Sequence, residues 1–175
     1  MARLNYCEVE SPIGQLLLIA YDENLVRIGL DAEDFVELRA AYSRKYRQTA
    51  ECFPATFADA VAQLKAYFAG ELRTFSLPVD FGSGSGFRLA VQRFLPQIEY
   101  GQTLSYGQIA ECLGNPGAAR AVGTACALNP LPIVVPCHRV VRADGNIGRY
   151  AGGVAAKQFL LRLESAVEKP PAGHL

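Results

Sequence analysis

The sequence predicts a mixed α/β protein built in two lobes, and three observations lead there. Apolar stretches at 4–9, 14–20 and 25–30, rich in Leu, Val, Ile and Tyr, read as a small antiparallel sheet, with a turn at Asp22-Glu23-Asn24 between the last two. Residues 34–48 and 56–69 read as helices, the second with Phe57, Val61, Leu64 and Phe68 on one face and Gly70 as its stop. The run Asp80-Phe81-Gly82-Ser83-Gly84-Ser85-Gly86 is the most linker-like stretch, and the chain beyond it is helical. The expected organisation is a lobe at 1–80, a linker at 81–86, a mostly helical domain at 87–168 and a loose tail at 169–175.

Within the second lobe, a helix over 87–99 leads to Gly101-Gln102-Thr103-Leu104-Ser105. Ser105 is suited to cap a helix over Tyr106–Leu113, which stops at Gly114-Asn115-Pro116-Gly117. A further helix runs from Ala118 to about Leu128. Two short helices joined by a Gly/Pro turn describe a helix-turn-helix, although αα-hairpins are also common in proteins that do not bind DNA. The last helix is made almost wholly of small residues, and Arg120 is its only charge. Small side chains permit close approach to an outside surface or tight packing inside. A single Arg rising from such a helix is what a groove-inserting wedge requires.

Composition narrows the classes. Half the residues are apolar and 19% are charged, as in an ordinary globular chain, and charges interrupt every hydrophobic stretch. No segment approaches the roughly 18 apolar residues of a membrane span, and the first residues carry no apolar signal core, so the expected location is the cytoplasm, with no membrane partner. The cysteines Cys7, Cys52, Cys112, Cys126 and Cys137 form no C-x-x-C pair, which fits a reducing compartment. With one internal histidine, a Cys/His zinc site has few ligands available, so no metal or other cofactor is expected. The net charge of zero hides a division: residues 1–80 hold 8 Lys/Arg against 12 Asp/Glu, and residues 81–175 hold 9 against 5. The second half therefore either meets something anionic or packs against an oppositely charged lobe. The Gly-rich run at 82–86 does not read as a nucleotide loop: its spacing is G-x-G-x-G, and no acidic residue follows about 20 residues on.

The segment Val134-Val135-Pro136-Cys137-His138-Arg139-Val140 places a cysteine beside one of only two histidines, the other being His174 near the C-terminus. A cysteine is most often a small buried hydrophobe. A thiolate at neutral pH needs a base or a cation at hand, and His138 and Arg139 supply both types. Adjacent side chains rarely bond directly, so a bridging water would link Cys137 to His138. His138 needs an orienting carboxylate, and spacing does not choose among Glu111, Asp144, Glu164 and Glu168.

The stretch from about Phe87 to Glu164 closely resembles the O6-alkylguanine-DNA alkyltransferases, also called methylated-DNA–protein-cysteine methyltransferases. The matching pieces are Ser105-Tyr106-Gly107-Gln108-Ile109-Ala110, Gly114-Asn115-Pro116, Ala119-Arg120-Ala121-Val122-Gly123, Asn129-Pro130, Pro136-Cys137-His138-Arg139-Val140 and Tyr150-Ala151-Gly152-Gly153. The first lobe matches more loosely, chiefly through Ser11-Pro12-Ile13-Gly14.

The resemblance implies a ribonuclease-H-like first lobe and a winged-helix-like second lobe. The implied activity is DNA repair by single, irreversible transfer of the alkyl group from guanine O6, and by extension thymine O4, to the protein's own cysteine. It assigns Cys137 as acceptor, His138 as water-linked base and Glu164 as orienter. Arg120 would replace the extruded base in the minor groove of double-stranded DNA, with Ala119, Ala121, Gly123 and Thr124 on the groove-facing helix. Tyr106 would contact the extruded base, and Asn129 matches the hinge before the active-site loop. The Cys137 and Val140 carbonyls would accept from the guanine amino group, and Pro132, Gly148, Tyr150 and Ala151 would shape the pocket. Ala151 stands where many relatives have serine, which implies a slower rate. Pro132 and Gly148 leave room for a benzyl group. The expected state is a monomer that could cluster along DNA. A non-catalytic lesion sensor, a cysteine hydrolase and a plain helix-turn-helix regulator are the competing readings.

Overall fold

The structure, a computed structural model, describes residues 1–84 and 86–168, with side chains through residue 165. Ser85 of the expected linker and the expected tail at 169–175 lie outside the described residues. The chain divides into two compact units: residues 1–84 with Pro130–Pro132, and residues 86–129 with 133 onward. A boundary drawn at 80–86 leaves Pro130–Pro132 in the second domain, whereas the structure groups them with the first. The reason is local: Ile28 N–H donates to Pro130 O at 2.9 Å, and the Arg27 guanidinium reaches the same carbonyl at 3.3 Å.

The first unit is a four-stranded sheet in the order β3-β2-β1-β4, with β1 (Leu4–Ser11), β2 (Gly14–Tyr21), β3 (Asn24–Gly29) and β4 (Glu51–Cys52). The hairpins are antiparallel, and β4 adds parallel to β1 through Asn5↔Glu51 and Tyr6↔Cys52. The sequence reading missed β4, because two exposed residues carry no pattern. Leu16 to Ala20 are all buried, so β2 is covered on both faces. Leu4, Leu17, Ile19 and Val26 form one core, covered by Phe35, Leu38, Tyr42 and Tyr46 of α1 (Phe35–Tyr46). Leu16 faces Val61, Leu64 and Phe68 of α2 (Ala58–Phe68) around a small cavity. Gly14 cannot carry a side chain: its φ is +103° and a Cβ there would lie 2.6 Å from Asp31 Cβ.

The supposed linker is tied down at its start. Leu25 N–H donates to Pro78 O and Asp80 N–H to Leu25 O, extending the β3 edge.

The second unit is mostly helical. α3 (Gly86–Phe94) ends earlier than the expected 87–99, because Pro96 lacks the N–H a helix would use and the chain tightens to a 3₁₀ turn at Leu95–Gln97. α4 (Tyr106–Cys112) begins at Ser105, which forms a full capping box: Gln108 N–H donates to Ser105 Oγ, and Ser105 N–H donates to Gln108 Oε1. After a turn through Gly114 (φ +76°), α5 (Ala119–Ala127) packs against α3 and α4. Gln92 Nε2 donates to Ala125 O, and Val122 and Ala125 are fully buried. The two expected short helices and the Gly turn between them are therefore present. Leu104–Ser105 (β5) pairs in parallel with Val140–Val141 (β6), and α6 (Val154–Glu168) closes the unit. No helix of the described residues is long and apolar enough to cross a membrane.

Leu17→Ala removes a fully buried side chain from the middle of the central strand, and cavity formation adds to the lost transfer energy. Urea unfolding is expected to show a loss of about 2–5 kcal/mol.

Candidate active site

Cys137 opens a single 3₁₀ turn, Cys137–Arg139, whose three side chains are all buried. Pro136 precedes it and fixes the entry, and Val140 N–H closes the turn onto Cys137 O. Such a turn sends consecutive side chains in different directions. Cys137 lines a cavity of about 630 Å³, whereas His138 and Arg139 point toward α6.

There Glu164 receives both. His138 Nε2 donates to Glu164 Oε2 at 2.7 Å, Arg139 Nε donates to Oε1 at 2.7 Å and Nη2 to Oε2 at 3.2 Å. Arg139 Nη1 also donates to Ile98 O at 2.6 Å. His138 is fully buried and Glu164 is 1% exposed, so the arrangement is out of water. Burial alone would raise the Glu164 carboxyl, but the His138 and Arg139 bonds outweigh it and hold its pKa at about 2. Burial pushes His138 below its usual range despite the opposing pull of Glu164. At neutral pH the set is an ionised carboxylate, a charged guanidinium and a neutral imidazole. Among the described side chains of the four carboxylates the spacing left open, the fold brings Glu164 to His138. Asp144 instead binds Asn146 in an exposed turn, Glu111 is exposed on α4, and the Glu168 side chain lies outside the described ones.

The cavity is lined by Tyr106 of α4, Arg120, Gly123, Thr124 and Cys126 of α5, and Gly148 to Ala151 of the loop before α6. Arg120, Ala121 and Thr124 are exposed, while Ala119 and Gly123 are partly covered. Gly148 has φ +77°, and a Cβ there would lie 2.9 Å from the Tyr106 hydroxyl, so only glycine lets these two walls meet. Burial, with the nearby Cys126 and Cys137, raises the Tyr106 phenol, which stays protonated.

Three expected pocket residues sit elsewhere. Pro132 is buried in the first unit, Asn129 is buried with its Nδ2 donating to Val135 O at 2.8 Å, and neither lines the cavity. Asn129 thus braces the loop that leads to Cys137. Val140 contributes a carbonyl, but that oxygen already accepts from Lys157 Nζ at 2.7 Å. Sequence reasoning missed Cys126, Arg142, Arg149 and Lys157. The Cys126 thiol is pushed up to about 12, chiefly by burial, so it stays protonated at neutral pH.

Residues 86–166 match the DNA binding domain of 6-O-methylguanine DNA methyltransferase, and residues 5–81 match the ribonuclease-like domain of the same family. The chain belongs to this methyltransferase family. A methylated-DNA–protein-cysteine methyltransferase of Mycolicibacterium paratuberculosis is 46% identical over 161 residues, covering 92% of each chain. The constitutive enzyme of Bacillus subtilis is 38% identical over 91% of this chain and 94% of its own. Among solved structures, Mycobacterium tuberculosis OGT in complex with DNA aligns with a TM-score of 0.82 at 40% identity, over 93% of this chain and 94% of that one. The methyltransferase of Pyrococcus kodakaraensis aligns at 0.63 and 26% identity, over 92% and 98%. Mixed α/β architecture, DNA-binding domain and methyltransferase family thus agree with the reading of the sequence.

Acid should weaken the fold through the buried trio. A carboxyl held low in the folded state stabilises fully above its ordinary value of 4.5, and that contribution is lost as pH falls toward about 2. A histidine held low loses its contribution as pH falls below 6.5. Glu164→Gln strands a buried guanidinium, at a cost of about 3–5 kcal/mol at pH 7. Urea unfolding across pH 3–7 is expected to show this loss together with a flatter pH dependence below 4.5.

Proposed function

We propose that the chain repairs O6-alkylguanine in duplex DNA by moving the alkyl group once and irreversibly to Cys137. The observation that carries this reading is the placement of Cys137 in an open cavity, one residue before an imidazole that a buried carboxylate orients. Family membership and the relative crystallised with DNA support DNA as the partner.

On this reading Glu164 fixes the imidazole through Nε2, so Nδ1 is the nitrogen that takes the Cys137 proton, through one water. The thiolate then attacks the alkyl carbon in line. The S–C bond forms as the C–O6 bond breaks, and the electron pair leaves on the guanine, which regains a proton. The product thioether offers water no electrophilic carbonyl, so nothing in the chain regenerates the thiol and each molecule acts once. The same chemistry extends to O4-alkylthymine.

The target atom is stacked inside the duplex, so the nucleotide must be extruded at a cost of a few kcal/mol. Arg120, exposed at the cavity rim on a helix whose outer face is Ala121 and Thr124, suits a wedge in the minor groove that fills the vacated stack. Ala119 and Gly123 leave room for backbone approach. Tyr106 would pack on the extruded base, with the Cys137 and Val140 carbonyls accepting from its amino group, Val140 through its second lone pair. The backbone at Tyr150 and Ala151 would face O6, and the missing serine hydroxyl makes the rate slower than in relatives that have it. Residues 87–168, apart from Pro130–Pro132, form the DNA-binding and acceptor domain, and the protein acts as a cytoplasmic monomer that needs no cofactor.

Intact mass after incubation with a duplex carrying one O6-methylguanine is expected to gain one methyl in place of one hydrogen, mapped to Cys137 and saturating at one per molecule. Cys137→Ser should bind that duplex and gain nothing. Binding without any mass change in the unaltered chain would make it a lesion sensor, and repeated turnover of an ester or amide would make it a hydrolase. Arg120→Ala should slow repair in duplex far more than transfer from free O6-benzylguanine, and equal losses on both substrates would remove the wedge.

A further inference from the structure

Lys157 is the least expected side chain in the second unit. It lies on α6, it is fully buried, and no acidic side chain among the described residues pairs with it. Its Nζ donates instead to two main-chain oxygens, Val140 O at 2.7 Å and Arg149 O at 3.3 Å. Val140 closes the turn that Cys137 opens, and Arg149 belongs to the cavity wall. A buried ammonium costs several kcal/mol unless something in the site compensates it, and two neutral carbonyls do so only in part. A glutamine would bridge the same two oxygens with less desolvation.

The charges around the acceptor suggest what the ammonium is for. In the 137–139 turn and on α6, Arg139 is balanced by Glu164 and His138 is neutral. Tyr106 of α4 and Cys126 of α5 are held in their protonated forms. Arg120, Arg142 and Arg149 around the cavity are exposed and screened by water, and Arg142 pairs with Asp144 at 3.8 Å. Among the described residues around the cavity, that leaves one buried, unbalanced positive charge, Lys157, and one latent negative charge, the Cys137 sulfur. Burial lowers the lysine, while Cys137 is the largest influence pulling it back up and Cys126 the next.

We propose that Lys157 is a positioning residue for the transfer reaction: its ammonium, fixed between the Val140 and Arg149 carbonyls, is the counter-charge for the Cys137 thiolate. The inference rests on the alkyl-transfer reading only for its purpose, since thiolate formation at Cys137 can be measured without DNA. It assigns a division of labour, in which His138 takes the proton and Lys157 offsets the charge left on sulfur. The same ammonium holds the Arg149 wall against the acceptor turn.

The test compares the unaltered chain with Lys157→Met, which removes charge and both bonds, and Lys157→Gln, which keeps bonding capacity without charge. Carbamidomethylation by iodoacetamide is followed at Cys137 by peptide mass across pH 5–10, with thermal unfolding as the folding control. Both variants are expected to react about tenfold more slowly at pH 7, as a rise of one unit in the midpoint of the pH–rate profile produces, and to converge on the unaltered rate at high pH. Transfer from free O6-benzylguanine should slow by the same factor. Lys157→Gln with an unshifted midpoint would overturn the counter-charge and leave a hydrogen-bonded bridge. A lowered plateau with an unmoved midpoint in both variants would overturn it equally, as a loss of cavity shape. If the unaltered chain alkylates at Cys137 with iodoacetamide but takes no benzyl group, the alkyl-transfer reading fails while the Lys157 result stands on its own.

Discussion

Two buried side chains converge on one carboxylate through three hydrogen bonds, and most of the second unit is arranged around that fact. Glu164 stays ionised out of water because Arg139 grips both of its oxygens and His138 adds a third bond, with the Gly101 N–H a longer contact at 3.5 Å. Each partner is in turn fixed by something else: Arg139 by the Ile98 carbonyl at the end of the α3 segment, and His138 by the turn that also carries Cys137. Moving α6 by even a fraction of its pitch would break a charge-assisted bond in a region of low dielectric, where an unpaired ion costs far more than at the surface. Cys137 is therefore placed by electrostatics as much as by packing. Its own side chain is small and bonds weakly, so its position must be imposed by neighbours.

The opposite side of the cavity is held by different means. Gly148 lets the loop approach the Tyr106 hydroxyl, and Lys157 draws the carbonyls of Val140 and Arg149 together from beneath. Asn129 braces the segment entering from α5 through Val135 O, and Ile133 on that segment is held at φ +76°, a conformation that a buried β-branched residue adopts only when its surroundings dictate it. Strain and rigidity are thus concentrated on the short path between α5 and Cys137.

How much of this was legible in the sequence depended on whether the signal was local. The hairpin strands, the Ser105 cap with Gln108 three residues on, and the Gly114 turn each announce themselves within a few residues, and each is found in place. The pairing of His138 with Glu164 spans 26 positions, so spacing alone left four carboxylates open, and only the family resemblance singled one out. Lys157 had a weaker trace: it stands seven residues before Glu164 on one helix, with Leu160 between them on the same buried face. A lysine at a core-facing position reads first as a misplaced surface residue, because the carbonyls that justify it come from β6 and a loop. β4 and the return of Pro130–Pro132 to the first unit were invisible for the same reason, being set by main-chain bonds to distant strands.

α5 shows how one composition can answer two demands at once. Its small residues were compatible with an outside surface or with internal packing, and the helix uses them for both. Val122 and Ala125 pack inward, where Gln92 bonds the Ala125 carbonyl, while Ala121, Thr124 and Arg120 stay in solvent. The charge division sharpens in the same way. Among the described residues after position 80, Arg139, Lys157 and Glu164 are internal, while six arginines and three carboxylates are exposed, an excess of three positive charges on the outside. An excess of that size on one domain steers it toward a polyanion without fixing where it lands. The cavity differs in kind, because its lining is mostly of uncharged residue types and its charges are the exposed arginines Arg120, Arg142 and Arg149.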